Sequence, residues 1–371
     1  MSLYRKTVEE ISRNKSLREE GKDISIPSPF SRMSSYWPGI QQGKYYLISA
    51  NQKVGKTQVT DYVFVYHPFD YVYNNKDTNI KLKVFDFNLE MSKGAKFRQL
   101  IVHRIYQKTG KIFSTRELDS VFKDSILSDD ILRFIEEDHE WFEAFENIVE
   151  YIDDIRNPFG ILKHLRTFFE ENGRYTYRTI KEKVENTDGT VSIKDKQIVD
   201  YYTPNDPDLF VIVKVDNINL LTPEKGSTIY DAIQSFSSDH MLRVRDRWNG
   251  IPVIIQQQAL SKEGNDSIRL GRTRPSADGL ADNKATSKDA NVFMGLYSPY
   301  RNGIDTYNNY NIKALRDHYR SFYIDFDRDG ASCETNLYFH GAVTQFRELP
   351  KPNDMTKQMY DNIHSVMNPN K

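Results

Sequence analysis

One stretch constrains this chain more than any other. An apolar run, Tyr-Tyr-Leu-Ile-Ser-Ala at 45–50, passes directly into Asn-Gln-Lys-Val-Gly-Lys-Thr-Gln at 51–58. A second apolar run of helical character, TDYVFVYHPFDYV at 60–72, follows. Strand, Gly-Lys-Thr turn and helix in that order are what a phosphate-binding loop requires. Backbone N–H groups at such a turn and the N-terminus of the following helix attract a β-phosphate. The spacing assigns the nucleotide-binding set as Ala50, Asn51, Gln52, Lys53, Val54, Gly55, Lys56, Thr57 and Gln58, with Ala50 where the pattern usually has glycine. Lys56 would place its charge against the β/γ oxygens, and the Thr57 hydroxyl would ligate Mg2+ beside ATP.

The rest of the sequence supplies strands for such a turn to sit on. LFVIVKVDNINLL at 209–221 is the strongest buried-strand signal, and it delivers Asp216 to the strand end. A carboxylate there faces the crevice at the carboxyl edge of a parallel sheet and can hold the metal's water shell. KLKVFDFNLEM at 81–91 reads as another buried strand, with Glu90 just beyond it as the candidate general base. IPVIIQQQ at 251–258 ends in Gln258, a candidate sensor of the terminal phosphate. NVFMGLYS, SFYIDFDR and ETNLYFHG follow as closely spaced later strands. The expected fold is therefore α/β, a mostly parallel central sheet flanked by helices with antiparallel strands at its C-terminal edge.

Other segments punctuate this core. Residues 1–22 read as a thinly apolar linker helix that docks elsewhere, and 24–40 as an extended Pro/Ser-rich connector. Residues 129–154 carry eleven acidic residues and one basic residue, with apolar positions at helical spacing, and predict one amphipathic helix with a solvated acidic face. Residues 173–203 predict an inserted hairpin turning at Asp188-Gly189, and 351–371 a tail helix. The polar stretch 261–288, with six basic and four acidic residues, holds Lys262, Arg269, Arg272 and Arg274 as candidate phosphate contacts. The balance of 51 Lys+Arg against 52 Asp+Glu excludes a chain that binds nucleic acid by bulk charge. One cysteine, Cys333, suits a reducing compartment, and no apolar run approaches a membrane span, so a cytoplasmic protein without membrane contact is expected.

Taken together and in order, these segments resemble the ATPase domain of the hexameric replicative DNA helicases, the DnaB-like branch of the RecA-like P-loop NTPases. NLEMSK at 88–93 resembles that family's SLEMS, which maps its catalytic glutamate onto Glu90. VKVDNINLL resembles its Walker B strand (Asp216), and IPVIIQQQAL its IPVIALSQL strand (Gln258). RPSADGLADNKATSKDANVFMGLYS at 274–298 resembles the family's RPxxxDLRESGxxxxDADxxxxLYR segment at equal spacing. FYIDFDRDG resembles the strand that delivers Lys-x-Arg-Asn-Gly, whose arginine reaches a neighbouring subunit's site and maps onto Arg328. Arg316 and Arg320, just upstream, compete for that role. The resemblance covers 23–350. It departs at Phe326, where the family has lysine, and at GLADN (279–283), where it has DLRES.

What the resemblance implies is an ATP- and Mg2+-dependent DNA helicase of replicative type. It would self-assemble into a ring, a hexamer by the family's habit, and translocate on single-stranded DNA, with a primase or loader as partner. A short, phage-type member working in a host cytoplasm fits the length. The alternative is a RecA-fold ATPase without unwinding activity, acting as an assembly, loading or recombination partner.

Overall fold

The computed structural model describes residues 3–185, 191–264, 267 and 269–367. Its strands, in chain order, are β1 (Tyr46–Ala50), β2 (Lys81–Asn88), β3 (Val149–Ile152), β4 (Gly173–Glu185), β5 (Val191–Pro204), β6 (Leu209–Asp216), β7 (Ile251–Gln257), β8 (Val292–Tyr297), β9 (Thr306–Tyr307), β10 (Tyr310–Asn311), β11 (Tyr319–Asp327), β12 (Cys333–His340) and β13 (Gln345–Glu348). One nine-stranded sheet runs β13-β12-β11-β8-β1-β7-β6-β2-β3. From β8 to β3 the strands are parallel, and β11, β12 and β13 add antiparallel to the β8 edge.

Alternation along each strand divides its residues between two cores. Ile48, Val84, Ile212 and Ile255 face α2 (Lys56–Asp61), α3 (His67–Asn74), α4 (Lys93–Thr109) and, after the short α5 (Thr115–Leu118) and α6 (Asp129–Glu137), α7 (His139–Ile148). Leu47, Phe85, Val213 and Ile254 face α8 (Pro158–Glu171), α9 (Ile229–Ser235) and α10 (Leu242–Trp248). Buried on both faces, these strands read as unbroken apolar runs, which is why the sequence signals them well. The helix after the Gly-Lys-Thr turn continues from α2 into α3 through a π segment, Tyr62–Tyr66, where the His67 N–H reaches back to the Tyr62 carbonyl. Pro68 explains the widening: it lacks an N–H, and its ring would clash with the carbonyl four residues back.

Two expectations are corrected. Residues 129–154 are not one helix. They break at Asp138, whose carboxylate takes two bonds from Arg104, at 2.5 and 3.0 Å. They then end in β3, the parallel edge strand beside β2. Val149 and Ile152, three apart, suit a helix face as well as the ends of a short strand, and the β2 edge decides. Residues 24–40 form the expected non-helical connector with turns, and Phe30, Met33, Trp37 and Ile40 within it are core residues, with Ile26 paired to Ile40. The tail forms two short helical turns, Lys357–Asp361 and Ile363–Val366, in place of one helix.

β4 and β5 form the inserted ribbon, pinned at its base where Trp248 Nε1 donates to Tyr175 Oη at 2.8 Å. The Asp188-Gly189 turn lies outside the described residues. α1 (Leu3–Glu19) leaves Tyr4, Val8 and Ile11 exposed and touches the body through an Arg13–Asp208 ion pair at 2.5 Å.

The tail is held by histidines. His364 Nδ1 meets Tyr338 Oη at 2.6 Å and its ring stands edge-on to His318 at 4.4 Å, with His340 5.5 Å away. Burial, reinforced by His318 and His364, pushes His340 down to about 4 from 6.5. The unfolded chain therefore takes up this proton at higher pH than the folded chain, and stability is lost as pH falls from about 6.5 to about 4. Amides across 357–367 should lose protection, measured relative to their intrinsic exchange rates, as pH falls through that window in the parent, and His340→Gln should flatten the response. A parent response that is already flat would contradict the assignment.

Candidate active site

β1 ends at Ala50, and its loop delivers the chain to α2 at Lys56. Gly55 has φ 97°, and a Cβ there would lie 2.9 Å from Phe339 Cζ, so both backbone and packing demand glycine. Lys53 also has positive φ, 57°. Ala50 and Val54 are buried, while Gln52 and Lys53 are exposed. Gln58 ties the first turn of α2 to the β12–β13 connection by donating to the Gly341 carbonyl at 2.7 Å. Asn51 Nδ2 donates to the Thr273 carbonyl at 2.9 Å, and its buried Oδ1 has no hydrogen-bond partner.

Strand register brings the carboxylates to this loop. Asn88 at the end of β2 pairs with Asp216 at the end of β6, and the Leu89 N–H donates to the Asp216 carbonyl at 2.7 Å. Glu90, one residue on, is exposed at the mouth of the crevice. Burial pulls the Lys56 amine below its ordinary value, and Asp216 and Glu90 are the two charges that oppose the shift. Lys56, Asp216 and Glu90 thus share one electrostatic neighbourhood. Asp216 is 2% exposed, yet its Oδ1 accepts no hydrogen bond. A buried, unpartnered carboxylate oxygen normally has a use, and this one fits a divalent cation, with Thr57 supplying a hydroxyl from the start of α2. Among the described residues no three His, Cys, Asp or Glu side chains gather into a metal cage. A cation here would therefore take its remaining ligands from phosphate and water, as Mg2+ does.

Gln258 lies just past β7, beside the β1 end. Its Nε2 donates to Ser49 Oγ at 2.8 Å and to the Ser276 carbonyl at 3.1 Å, and its Oε1 accepts from the Ser276 N–H at 3.3 Å. It links the loop's strand to the 261–288 segment, as Asn51 does through Thr273. Within that segment Arg269 and Arg272 are exposed, and the Lys262 side chain lies outside the described residues. Arg274 is committed to the fold. It bonds Glu334 at 3.0 Å and Tyr307 at 3.1 Å and stacks 3.6 Å over the Tyr323 ring, so it anchors the segment and is not a free phosphate contact.

Arg328 sits across the molecule. β11 is antiparallel, and Asp327 pairs with Val292, the residue that pairs with Tyr46 at the start of β1. Arg328 is exposed at the edge of the sheet opposite Ala50, with one guanidinium nitrogen on the Lys288 carbonyl. Arg316 is also exposed. Arg320, the other competitor, cannot reach a neighbour. It is fully buried, donates to the Val54 carbonyl at 2.6 Å and to the Ser298 hydroxyl at 3.2 Å, and lies 4.4 Å over Phe339. Burial pushes it down to about 10, against the opposing pull of Asp317. This arginine holds the Gly-Lys-Thr loop of its own chain through the Val54 carbonyl. The signal was a charge inside an apolar strand, Tyr-Arg-Ser-Phe-Tyr-Ile at 319–324, where a buried cation must have partners.

No family model matches the sequence, and no curated protein matches it. Solved structures do. One of them, an ATPase domain, superposes with a TM-score of 0.64 and 17% identity, over 94% of this chain and 99% of that one. A structure of a DnaB-like replicative helicase and its interactions with primase gives 0.60 and 17%, over 92% of this chain and 66% of that one. The chain has the RecA-like ATPase fold of DnaB-like helicases.

Arg320→Gln should strip partners from the Val54 carbonyl and its neighbours. The expected cost is about 3 kcal/mol in urea unfolding, with weakened nucleotide binding by titration. Unchanged binding would remove Arg320 from the site.

Proposed function

We propose that the chain is an ATP-dependent DNA helicase of the replicative DnaB-like type, assembling into a ring and translocating on single-stranded DNA. The observation that carries this reading is Lys56 at a glycine-shaped turn, facing Asp216 and Glu90 at the carboxyl edge of the sheet. Lys56 and the loop N–H groups bind the triphosphate. Thr57 and Asp216 would hold Mg2+, which neutralises phosphate charge when bound. Glu90, exposed at the mouth, orients and deprotonates the attacking water. Gln258 and Asn51 connect the phosphate site to 261–288, where Arg269 and Arg272, with Lys262, meet DNA phosphates.

The ring follows from Arg328. It lies one residue beyond the level of Tyr46, five strand steps from Ala50, roughly 16 Å at strand rise. It is turned away from its own site and available to a neighbour's. Assembly is supported by the unpartnered Tyr4, Val8 and Ile11 of α1, proposed to dock on the adjacent subunit. A hexamer in the cytoplasm, a phage-type origin and a primase or loader partner belong to the same reading. Among the described residues no helix is long and apolar enough to cross a membrane.

The second reading, an ATPase without unwinding that assembles, loads or recombines, has two observations in its favour. Phe326 stacks on Phe293 at 5.7 Å where the family pattern has lysine, and Arg274 is occupied. Unwinding of forked DNA, run beside ATP hydrolysis with and without single-stranded DNA, separates the two. DNA-stimulated hydrolysis with strand separation supports the helicase; hydrolysis indifferent to DNA supports the alternative.

Lys56→Ala should abolish hydrolysis, and Glu90→Gln should bind ATP yet turn over on the order of 10²-fold more slowly. A Lys56→Ala chain at the parent rate would sink the phosphate-loop assignment. Arg328→Ala should keep nucleotide affinity, lose turnover, and recover part of it when mixed with Lys56→Ala subunits. Mixed rings that stay as inactive as their parts would refute action across the interface.

A further inference from the structure

Behind the active site, between the sheet and the helices on the α2 side, four charged side chains are buried together. Asp61 ends α2, which opens with Lys56 and Thr57. Asp86 lies on β2, four residues before Glu90, and Lys214 on β6, two before Asp216. Lys96 belongs to α4, which starts just after Glu90 and is capped by Ser92. All four side chains are at most 1% exposed. Asp86 and Lys214 are cross-strand partners, joined at 2.7 Å. Lys214 also meets Asp61 at 2.9 Å, and Lys96 lies 3.8 Å from Asp86 and bonds Asp61 directly. The charges cancel, two against two. The Lys96 Nζ lies 5.9 Å from the centre of the Tyr151 ring.

As a stability device this arrangement is a poor choice. Desolvating four ions offsets much of their mutual attraction, and apolar residues of equal volume often hold a fold as well or better. What ions with fixed hydrogen bonds add is geometry, since a purely apolar contact tolerates sliding. Each member here sits on an element that carries part of the active site: Asp61 behind Lys56 and Thr57, Asp86 before Glu90, Lys214 before Asp216, and Lys96 on the helix that follows Glu90. We propose that Lys214, Asp61, Asp86 and Lys96 form a positioning network that fixes the phosphate-loop helix against the strands carrying Glu90 and Asp216. None of the four touches substrate. The inference rests on the ATPase reading above.

The test is a charge-free replacement, Asp61→Leu/Asp86→Val/Lys96→Met/Lys214→Met, in the full chain. A positioning role predicts an unchanged or higher urea midpoint, unchanged affinity for a fluorescent ATP analogue, and kcat lower on the order of 10²-fold, the effect of a displacement near 1 Å at a reacting group. A folded variant with parental kcat overturns the proposal. If the quadruple variant fails to fold, two charge-balanced doubles take its place, Lys214→Met/Asp86→Val and Lys96→Met/Asp61→Leu. Each should lose kcat and keep nucleotide affinity. A folded double with parental kcat, or failure of every neutral variant to fold, makes the cluster a stability element and ends the proposal. A parent chain that hydrolyses no ATP sinks the ATPase reading and this inference with it, whereas a working parent beside a working variant sinks this inference alone.

Discussion

Parallel pairing of β1, β7, β6 and β2 places the chemistry of this chain. Parallel strands end on the same side of a sheet, so whatever follows them shares one crevice. Here β1 is followed by the Gly-Lys-Thr loop, β2 by Glu90 and β7 by Gln258, and β6 ends in Asp216. Ala50 pairs with Gln257 and Asn88 with Asp216, and these registers set the relative heights of the four groups. A slip of one residue in β6 would turn Asp216 to the other face and bury Lys214 without partners. The same geometry explains Arg328: a strand running the other way in the same sheet must end at the opposite edge.

The polar groups inside this sheet carry more of the site's definition than its apolar core does. Arg320 grips the Val54 carbonyl, Gln258 joins Ser49 to Ser276, and Asn51 reaches Thr273. Each would cost free energy if left unpaired, and each is paired across elements far apart in sequence. The loop at 51–55 is consequently held from the β11 side by Arg320 and from the 261–288 side by Asn51.

Much of this was legible in the sequence, for identifiable reasons. LFVIVKVD and IPVIIQQQ are buried on both faces and so read as unbroken apolar runs, and Gly55 with Lys56 and Thr57 marks the turn by composition alone. Other features were hidden by the same physics. Val149–Ile152 is four residues long, too short for a period of two to be told from one of 3.6, and the free edge of β2 decides its form. Arg274 looks like an ordinary surface cation until the fold brings Glu334 and Tyr307 to it, and Arg320, a charge inside an apolar strand, signals burial but not its partner, the Val54 carbonyl. Lys214 was visible as a lysine inside an apolar strand, but its partners Asp61 and Asp86 lie more than a hundred residues upstream, and only the packing of α2 on β2 and β6 joins them.

The proposed nucleotide site is completed between subunits of a ring around DNA. Electron cryo-microscopy of the full chain with Mg2+, a non-hydrolysable ATP analogue and an oligothymidylate tests it most directly. The account predicts a closed or lock-washer ring, the triphosphate on Lys56 and Thr57 with Asp216 at the cation, and Arg328 of the adjacent subunit at the terminal phosphate. Nucleotide bound away from residues 50–58, or a ring in which Arg328 faces solvent, would contradict it.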